Sequence, residues 1–510
     1  MHTRCSHTRQ PRRLAQATLF LLLLSYALAS ACSTHPLSPT PPPPFEPAPC
    51  PPSSVPGGEN AACGYLLVPE DRGQPDGPTI RLPVLVLKSH SPNPAPDPLV
   101  YLAGGPGAAA IAGGHFYQLR AMLARRDLIV FDQRGTGYAE PPLDCPEVDA
   151  LYERPGLYDD PGETARLFSE ARRACRQRLV ETGVNLGAYN TAQNAADVND
   201  LRLALGYEQW NLYGGSYGTR LALTVMRDFP QGVRSVILDS TVPLQVDQQA
   251  ASGPNTQRAF QRVFQACAAD AACNAAFPGL ESAFYELIER LDAEPAVVKV
   301  FNRHANKYEE VSLSDDYLVR GLSNYLFKPY AFVETPKLIF DAHQGRYTRL
   351  AEVISENWAV GMVTNEGMFY AVMCHDEFAF TSQAEVAAAN ADVHPLIGQT
   401  ALKQTETLLA ICETWDVGRA SPIENEAVRS AIPTLVLAGT YDPVTPAEWG
   451  KMVAETLERA HYVEFPGGHG VLGPAIGCSL EIASAFLDDP SGALDLSCLD
   501  DKLKPRFITR

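Results

Sequence analysis

Five short β-prone runs, each broken off by a glycine-containing loop, constrain this chain more than any other feature. Leu99–Leu102 runs into Ala103-Gly104-Gly105-Pro106-Gly107, and Asp127–Asp132 runs into Gln133-Arg134-Gly135-Thr136-Gly137. Trp210–Tyr213 leads to Gly214-Gly215-Ser216-Tyr217-Gly218, Ile432–Ala438 to Gly439-Thr440-Tyr441-Asp442, and Ala460–Phe465 to Pro466-Gly467-Gly468-His469-Gly470. Apolar runs of this length bounded by turn residues read as buried strands. Helical segments lie between them. One is capped at Asn190 or Thr191, carries Val198, Leu201 and Leu205 on one face and stops at Gly206; another follows Ser216 and stops at Pro230. A further strand, Ser235–Asp239, comes next. Strands alternating with helices predict an α/β fold with a mostly parallel, doubly wound sheet, whose ligands bind at the carboxyl ends of the strands. Ahead of this pattern, Tyr65–Val68 and Ile80–Leu87 flank a turn-rich segment as a hairpin would.

From about Leu244 to Glu426 the alternation gives way to long helical stretches such as Ala259–Ala271 and Ser282–Ala293, and it resumes at Ile432. The domain reading is a core in two parts, 60–243 and 428–510, interrupted by a large, mainly helical cap over 244–427. The length suits a main domain with a big insertion.

The first 31 residues read as a signal peptide of lipoprotein type. Arg4, Arg9, Arg12 and Arg13 precede an apolar stretch dominated by Leu19–Leu24, and small residues lead to Cys32, which is the candidate for lipidation. Lipidation would anchor the chain to a membrane without a span; the alternative is cleavage and release in soluble form. Residues 32–59 are crowded with prolines and read as an extended tether, with a ligand for a proline-recognising module as the second reading. Ten cysteines remain beyond Cys5 and Cys32, an even number that favours disulfides in an exported chain. Spacing does not fix their connectivity; joining neighbours would close five local loops, Cys267 with Cys273 the most obvious. A formal charge of −18, more negative still once four signal arginines are lost, argues against a nucleic-acid partner.

Gly-x-Ser-x-Gly after a strand and before a helix is the pattern of a nucleophile elbow, which leaves the Ser216 hydroxyl projecting near a helix N-terminus. Ser216, Asp442 and His469 each lie just past a strand, so in one sheet their loops share an edge. His469 would take the serine proton, and Asp442 would orient and charge-stabilise the imidazole. The oxyanion donors are expected to be the backbone N–H groups of Tyr217 and of Gly105, since Pro106 has none. Each residue has an ordinary alternative when taken singly: a glycine turn for Ser216, a turn initiator for Asp442, a surface loop for His469. Five features on successive strand ends make the joint accident a poor explanation. Phosphate-loop, dinucleotide and His-Glu-x-x-His patterns are absent, so no cofactor and no metal is expected.

Ala103–Gly107, Asp132–Gly137, Gly214–Gly218, Gly439–Pro446 and Gly468–Gly470 together resemble the prolyl iminopeptidase and tripeptidyl aminopeptidase family of α/β-hydrolase serine exopeptidases, most of all its tripeptidyl branch. The likeness runs from about Cys63 to Cys498 and departs at Ala103, where members often carry histidine. It implies an α/β-hydrolase fold and release of amino acids or short peptides from a free N-terminus by a Ser-His-Asp acyl-enzyme route. A carboxylate must then hold the substrate ammonium. Cys374-His375-Asp376-Glu377 looks like a cap segment of related enzymes, which makes Asp376 or Glu377 the candidate, with a disulfide-pinned helix end as the structural alternative. Arg134 reads as a structural partner for carboxylates or carbonyls below the site. The competing functions are a carboxylesterase with the same triad and a catalytically silent binding lipoprotein. The expected location is the bacterial cell envelope, with secretion as the alternative.

Overall fold

Strands buried on both faces must be apolar along their whole length, and three runs here meet that condition in the computed structural model of the chain. It describes residues 42–510 apart from 53, 155–156, 158–160, 303–305, 360–364, 474–477 and 500–505. The signal and Cys32 lie outside the described residues.

Nine strands form the main sheet: β1 (Phe45–Ala48), β2 (Ala61–Pro69), β3 (Thr79–Leu87), β4 (Leu99–Leu102), β5 (Leu128–Phe131), β6 (Trp210–Gly215), β7 (Val233–Asp239) and, after the insertion, β10 (Thr434–Gly439) and β11 (Ala460–Phe465). Every residue of β4, β5 and β10 is buried. The spatial order is β1-β2-β3-β5-β4-β6-β7-β10-β11. From β5 onward all neighbours are parallel, while β1, β2 and β3 pair antiparallel, and β3 pairs antiparallel with β5. The doubly wound reading therefore holds.

On one face of the sheet, Val198 and Leu201 of helix Thr191–Ala204 and Leu221 and Val225 of helix Tyr217–Asp228 pack onto Val100, Leu212 and Val236. Phe116 and Leu119, with Ile482 and Phe486 of helix Ser479–Asp488, cover the other face. Asn190 caps the first of these helices, its side chain accepting from Gln193 N.

The tether expected over 32–59 needs correction in its described part. Phe45–Ala48 is an edge strand, paired with β2 in the register Phe45 with Leu66, and Cys50 is disulfide-bonded to Cys63. An edge strand tolerates proline because one side of its backbone needs no ladder partner, so proline content did not exclude sheet structure here. A β-carbon at Gly64 would lie 2.5 Å from the Phe45 ring, so the strand docks where β2 has no side chain.

The insertion after β7 carries helices Gln248–Ala269, Leu280–Ala293, Asp315–Leu326 and Pro395–Trp415, together with a hairpin of β8 (Ala296–Asn302) and β9 (Lys307–Leu313). It has its own apolar cluster, including Phe260, Phe284, Leu322 and Ile339. Cap and core belong to one compact unit spanning Pro42–Arg510. The disulfides join neighbours in sequence throughout: Cys50–Cys63, Cys145–Cys175, Cys267–Cys273, Cys374–Cys412 and Cys478–Cys498.

Candidate active site

Ser216 sits at the junction of β6 and helix Tyr217–Asp228 with φ 55° and ψ −126°. An L-residue held there is strained, and such strain marks sites where a side chain must be presented at a fixed angle. The glycines on either side explain how the turn closes. A β-carbon on Gly218 would lie 2.1 Å from Leu102 O, and one on Gly214 2.3 Å from Gly218 O, so any larger residue would push strand and helix apart. Ser216 N donates to Asp239 O at 2.9 Å, which ties the elbow to β7.

The candidate acid and base follow β10 and β11, the two strands beyond β7 in the sheet. His469 Nδ1 lies 2.8 Å from Asp442 Oδ2, which leaves Nε2 for a nucleophile. Asp442 is fully buried, and its Oδ1 accepts from Val444 N and Thr445 N at 2.9 and 3.0 Å. Thr445 Oγ1 donates to Asp442 Oδ2 at 2.6 Å and stands 3.0 Å from His469 Nδ1, bridging the pair. Burial pushes the Asp442 carboxyl up, but the charge and hydrogen bond of His469, with those of Thr445, outweigh it and hold the group below its ordinary value. Burial likewise pulls the imidazole down, while Asp442 and, more weakly, Asp239 outweigh it and raise His469 above the ordinary 6.5.

The Gly104–Gly107 loop faces Ser216, for a β-carbon on Gly104 would come within 3.0 Å of the Ser216 β-carbon. Gly105 has φ 108° and precedes Pro106 through a cis peptide. Tyr217 opens its helix, so its N–H has no carbonyl one turn earlier in that helix to bond. Its phenol is buried against Thr191 Oγ1 at 2.9 Å and Asn194 Nδ2 at 3.3 Å. Asp132, just past β5, ties the segment that follows the Gly104–Gly107 loop to the Gly135–Gly137 turn, accepting from Ile111 N and Tyr138 N at 2.7 and 3.0 Å. Burial raises its carboxyl to about 6.

Arg134 is completely buried and binds Asp197 through two 2.8 Å bonds, with Nη1 donating to Glu70 O and Ala188 O. It is structural, in keeping with its sequence reading. Bidentate pairing of this kind fixes geometry as well as charge.

The cap roofs the site. Arg258 Nη2 donates to Asp442 O at 2.7 Å, Asn255 Nδ2 to Val444 O at 3.2 Å, and Phe327 accepts from His469 N while its ring stands 4.7 Å from the imidazole. Between cap and acid loop lies a cavity of about 360 Å³ lined by Gln248, Ser252, Asn324, Phe327, Gln404 and Val444 among others.

Asp376 does not fit the expected role of an ammonium anchor. Its Oδ2 accepts from Thr191 N at 2.9 Å and Thr191 Oγ1 at 2.5 Å, and its Oδ1 faces His375 Nδ1 at 2.6 Å. Met373–Glu377 forms a π-helical turn, and the Cys374–Cys412 disulfide ties it to helix Pro395–Trp415. Asp376 is thereby aimed at the positive N-terminal end of helix Thr191–Ala204, where a carboxylate is stabilising. Glu377 is buried and forms an ion pair with Arg220 Nη1 at 2.7 Å, at an angle outside hydrogen-bond geometry. Gln248, a lining residue of the cavity, hydrogen-bonds to it. Asp247 stands nearby with Oδ2 buried and unbonded, while its Oδ1 caps helix Gln248–Ala269. Burial raises the Glu377 carboxyl; Arg220 opposes that shift, and Asp376 and Asp247 add to it.

Sequence reasoning missed Thr445, Asp239 and Arg258. Thr445 carried a faint signal as a hydroxyl three residues after an acid, a spacing that suits local side-chain bonding. The others act across long stretches of chain.

Comparison with known proteins agrees with this geometry. The alpha/beta hydrolase fold family matches residues 97–351, and the TAP-like protein family matches residues 395–498. Serine protease Hip1 of Mycobacterium tuberculosis is 28% identical over 484 residues, covering 88% of this chain and 90% of the relative. Tripeptidyl aminopeptidase of Streptomyces lividans is 31% identical over 192 residues, 35% of each chain. Carboxylesterase B of Mycobacterium tuberculosis is 26% identical over 428 residues, 80% of each. The chain belongs to the α/β-hydrolase family, and its C-terminal part is of the TAP-like kind that its resemblance to tripeptidyl aminopeptidases anticipates.

Proposed function

We propose that this serine hydrolase is an exported exopeptidase that cuts peptide bonds near a free N-terminus, releasing an amino acid or a tripeptide. His469 Nε2 takes the proton of Ser216 Oγ as the oxygen adds to the scissile carbonyl, and Asp442 stabilises the imidazolium so formed. The oxyanion is held by the N–H groups of Tyr217 and Gly105. Collapse of the tetrahedral intermediate passes the proton to the leaving amine. Water then repeats the sequence on the acyl-enzyme and frees Ser216.

The observation that carries exopeptidase over esterase is the charge balance beside the cavity. Asp376 and Asp247 stand close enough to Glu377 to raise its carboxyl, Arg220 is the cation paired with Glu377, and one buried oxygen each of Asp247 and Glu377 lacks a hydrogen-bond donor among the described residues. An ammonium reaching past Gln248 would supply donors and charge together, with Glu377 as the residue that receives it. Hip1 and the tripeptidyl aminopeptidase support the peptidase reading through their names. Carboxylesterase B supports the esterase as the second reading. Five disulfides support passage to an oxidising compartment, where lipidated Cys32 would hold the protein to the cell envelope.

Matched tripeptidyl anilides with free and blocked N-termini, compared with simple esters, test the proposal. Preference for the free tripeptide is expected. Equal turnover of free and blocked peptides would remove the aminopeptidase reading, and failure of a fluorophosphonate to label folded protein at Ser216 would remove the hydrolase.

A further inference from the structure

Asp239 ends β7 fully buried, with no cation in contact among the described residues, and its bonds reach both the Ser216 elbow and the loop after His469. Its backbone oxygen receives Ser216 N at 2.9 Å. Its Oδ1 accepts from Val471 N at 3.0 Å, and its Oδ2 from Leu472 N at 2.8 Å and from the Tyr213 hydroxyl at 3.1 Å. The next residue, Ser240, has φ 59° and accepts Gly470 N on its Oγ at 2.8 Å. The three residues that follow His469 thus hang by consecutive backbone N–H groups from the strand end that also receives the nucleophile.

We infer that Asp239 is a positioning residue with an electrostatic share in catalysis: it sets the His469 loop against the Ser216 elbow and places a second negative charge behind the imidazolium. The inference rests on the serine hydrolase reading of this site. Burial raises the Asp239 carboxyl, and Val471 N, Leu472 N, the Tyr213 hydroxyl and the charge of His469 oppose that shift; a carboxylate held there on neutral donors is costly unless its charge is used, since a neutral acceptor could meet the same donors. Here the use is at hand. Proton transfer from Ser216 creates a cation on His469, and Asp442 meets it at Nδ1 while Asp239 lies on the side of the chain that follows. The groups facing this imidazole are Asp442 and Thr445 from the loop after β10, Asp239 from β7, and the Phe327 ring from the cap. Tyr213 and Tyr101 stand behind Asp239, and Arg258 acts on the Asp442 carbonyl. Asp239 belongs among the influences that raise the His469 imidazole.

The test is the rate of fluorophosphonate labelling across pH for wild type, Asp239→Asn and Ser240→Ala, with circular dichroism as the check on folding. Asp239→Asn should label about 10- to 100-fold more slowly, short of the ~10⁴-fold loss that follows removal of a triad acid's charge. Its acid limb should move to lower pH, because the imidazolium loses an anion. Ser240→Ala frees Gly470 N and changes no charge, so it should slow labelling several-fold and leave the limb in place. A folded Asp239→Asn that labels at the wild-type rate with an unmoved limb overturns the inference, and slower labelling with an unmoved limb reduces Asp239 to structure alone and overturns its electrostatic share. Should that variant fail to fold, Ser240→Ala decides: labelling at the wild-type rate would show that the loop does not need these anchors. The reagent is indifferent to peptide or ester preference. Unlabelled wild type would count against the hydrolase reading, whereas labelled wild type with unaffected variants counts against Asp239 only.

Discussion

Two groups of buried carboxylates, one at the edge of the sheet and one in the cap, are held in different ways. Asp442 and Asp239 lie at strand ends and take most of their donors from backbone amides: Val444, Thr445, Val471 and Leu472. In the cap, Asp376 and Glu377 depend more on side chains, namely the adjacent His375 and, from elsewhere in the chain, Thr191, Gln248 and Arg220. Amide donors at strand ends are placed by the sheet itself and cannot swing away. Side-chain donors can be exchanged for a ligand's. The first arrangement suits a charge that must stay in one place through a reaction, and the second suits a charge that must meet a substrate.

The largest expected effect comes from the sheet side. Asp442→Asn keeps shape but loses the charge that holds the His469 tautomer, and kcat should fall about 10⁴-fold. Steady-state turnover of any accepted substrate measures it. A loss under tenfold would mean that Asp239 carries the role assigned to Asp442, which would break the contrast between the two acids.

The pH profile sharpens the same side. His469 must be neutral to accept a proton, and its folded value is raised above 6.5 by Asp442 and Asp239 against burial. The acid limb of kcat/KM should therefore have its midpoint above 6.5, with activity falling tenfold for each pH unit below it. The sign for stability is the reverse: this raised histidine contributes stability that is present in full below 6.5 and is lost as pH rises through its folded value. A midpoint well below 6.5 would show that burial wins over the two carboxylates.

On the cap side, Glu377→Gln removes charge from the cluster beside the cavity and should cost about 10- to 100-fold in kcat/KM for tripeptidyl anilides with a free N-terminus, as befits one charge-assisted bond. Blocked peptides and esters should be hydrolysed as before. Equal losses for free and blocked substrates would turn Glu377 into a structural acid like its neighbour.

Asp376→Asn separates that neighbour from the chemistry. It should lower stability by about 1–3 kcal/mol, because Thr191 N and Oγ1 lose a charged acceptor in a buried place. The midpoint of urea unfolding reads this directly, and the ratio of free to blocked peptide turnover should not move. A changed ratio would restore Asp376 to the substrate site.

The contrast also explains what could be read before the fold was known. Ser216, Asp442 and His469 stand out as candidates in the sequence because each follows a β-prone run and sits among turn residues, and the fold places all three past strands of one sheet, with Asp442 and His469 2.8 Å apart. Arg134 was legible as structural because a guanidinium just past a buried strand needs buried acceptors, and it has them in Asp197, Glu70 and Ala188. Asp376 and Glu377 could not be told apart in the sequence, because the partner that holds Asp376, Thr191, is 185 residues away. Asp239 reads in the sequence only as the end of a strand, since the two amides it accepts lie more than 230 residues later, and an amide leaves no mark in a sequence. The segment from Phe45 reads as tether because its proline content outweighs one aromatic and Cys50, although an edge strand accepts both prolines and a staple.

The smallest effect belongs to Thr445, and it tests how far backbone donors suffice. Its hydroxyl donates to Asp442 Oδ2 at 2.6 Å and leaves a lone pair 3.0 Å from His469 Nδ1, so that one oxygen touches both members of the pair. Thr445→Val keeps the branched shape and removes that oxygen. Asp442 would keep the amides of Val444 and Thr445 on Oδ1 and His469 on Oδ2, because those bonds do not involve the hydroxyl. The loss should be that of one net hydrogen bond, about 1 kcal/mol, or roughly fivefold in kcat. KM should stay near the wild-type value, for Thr445 is buried behind the acid. Removing a donor to Asp442 makes its carboxylate more basic and draws the imidazole proton more strongly, so the acid limb should shift slightly upward. A loss beyond a hundredfold would show that the hydroxyl, rather than the strand-end amides, orients the acid. The sheet side would then rest on an exchangeable side chain just as the cap does, and the distinction between the two groups of carboxylates would disappear.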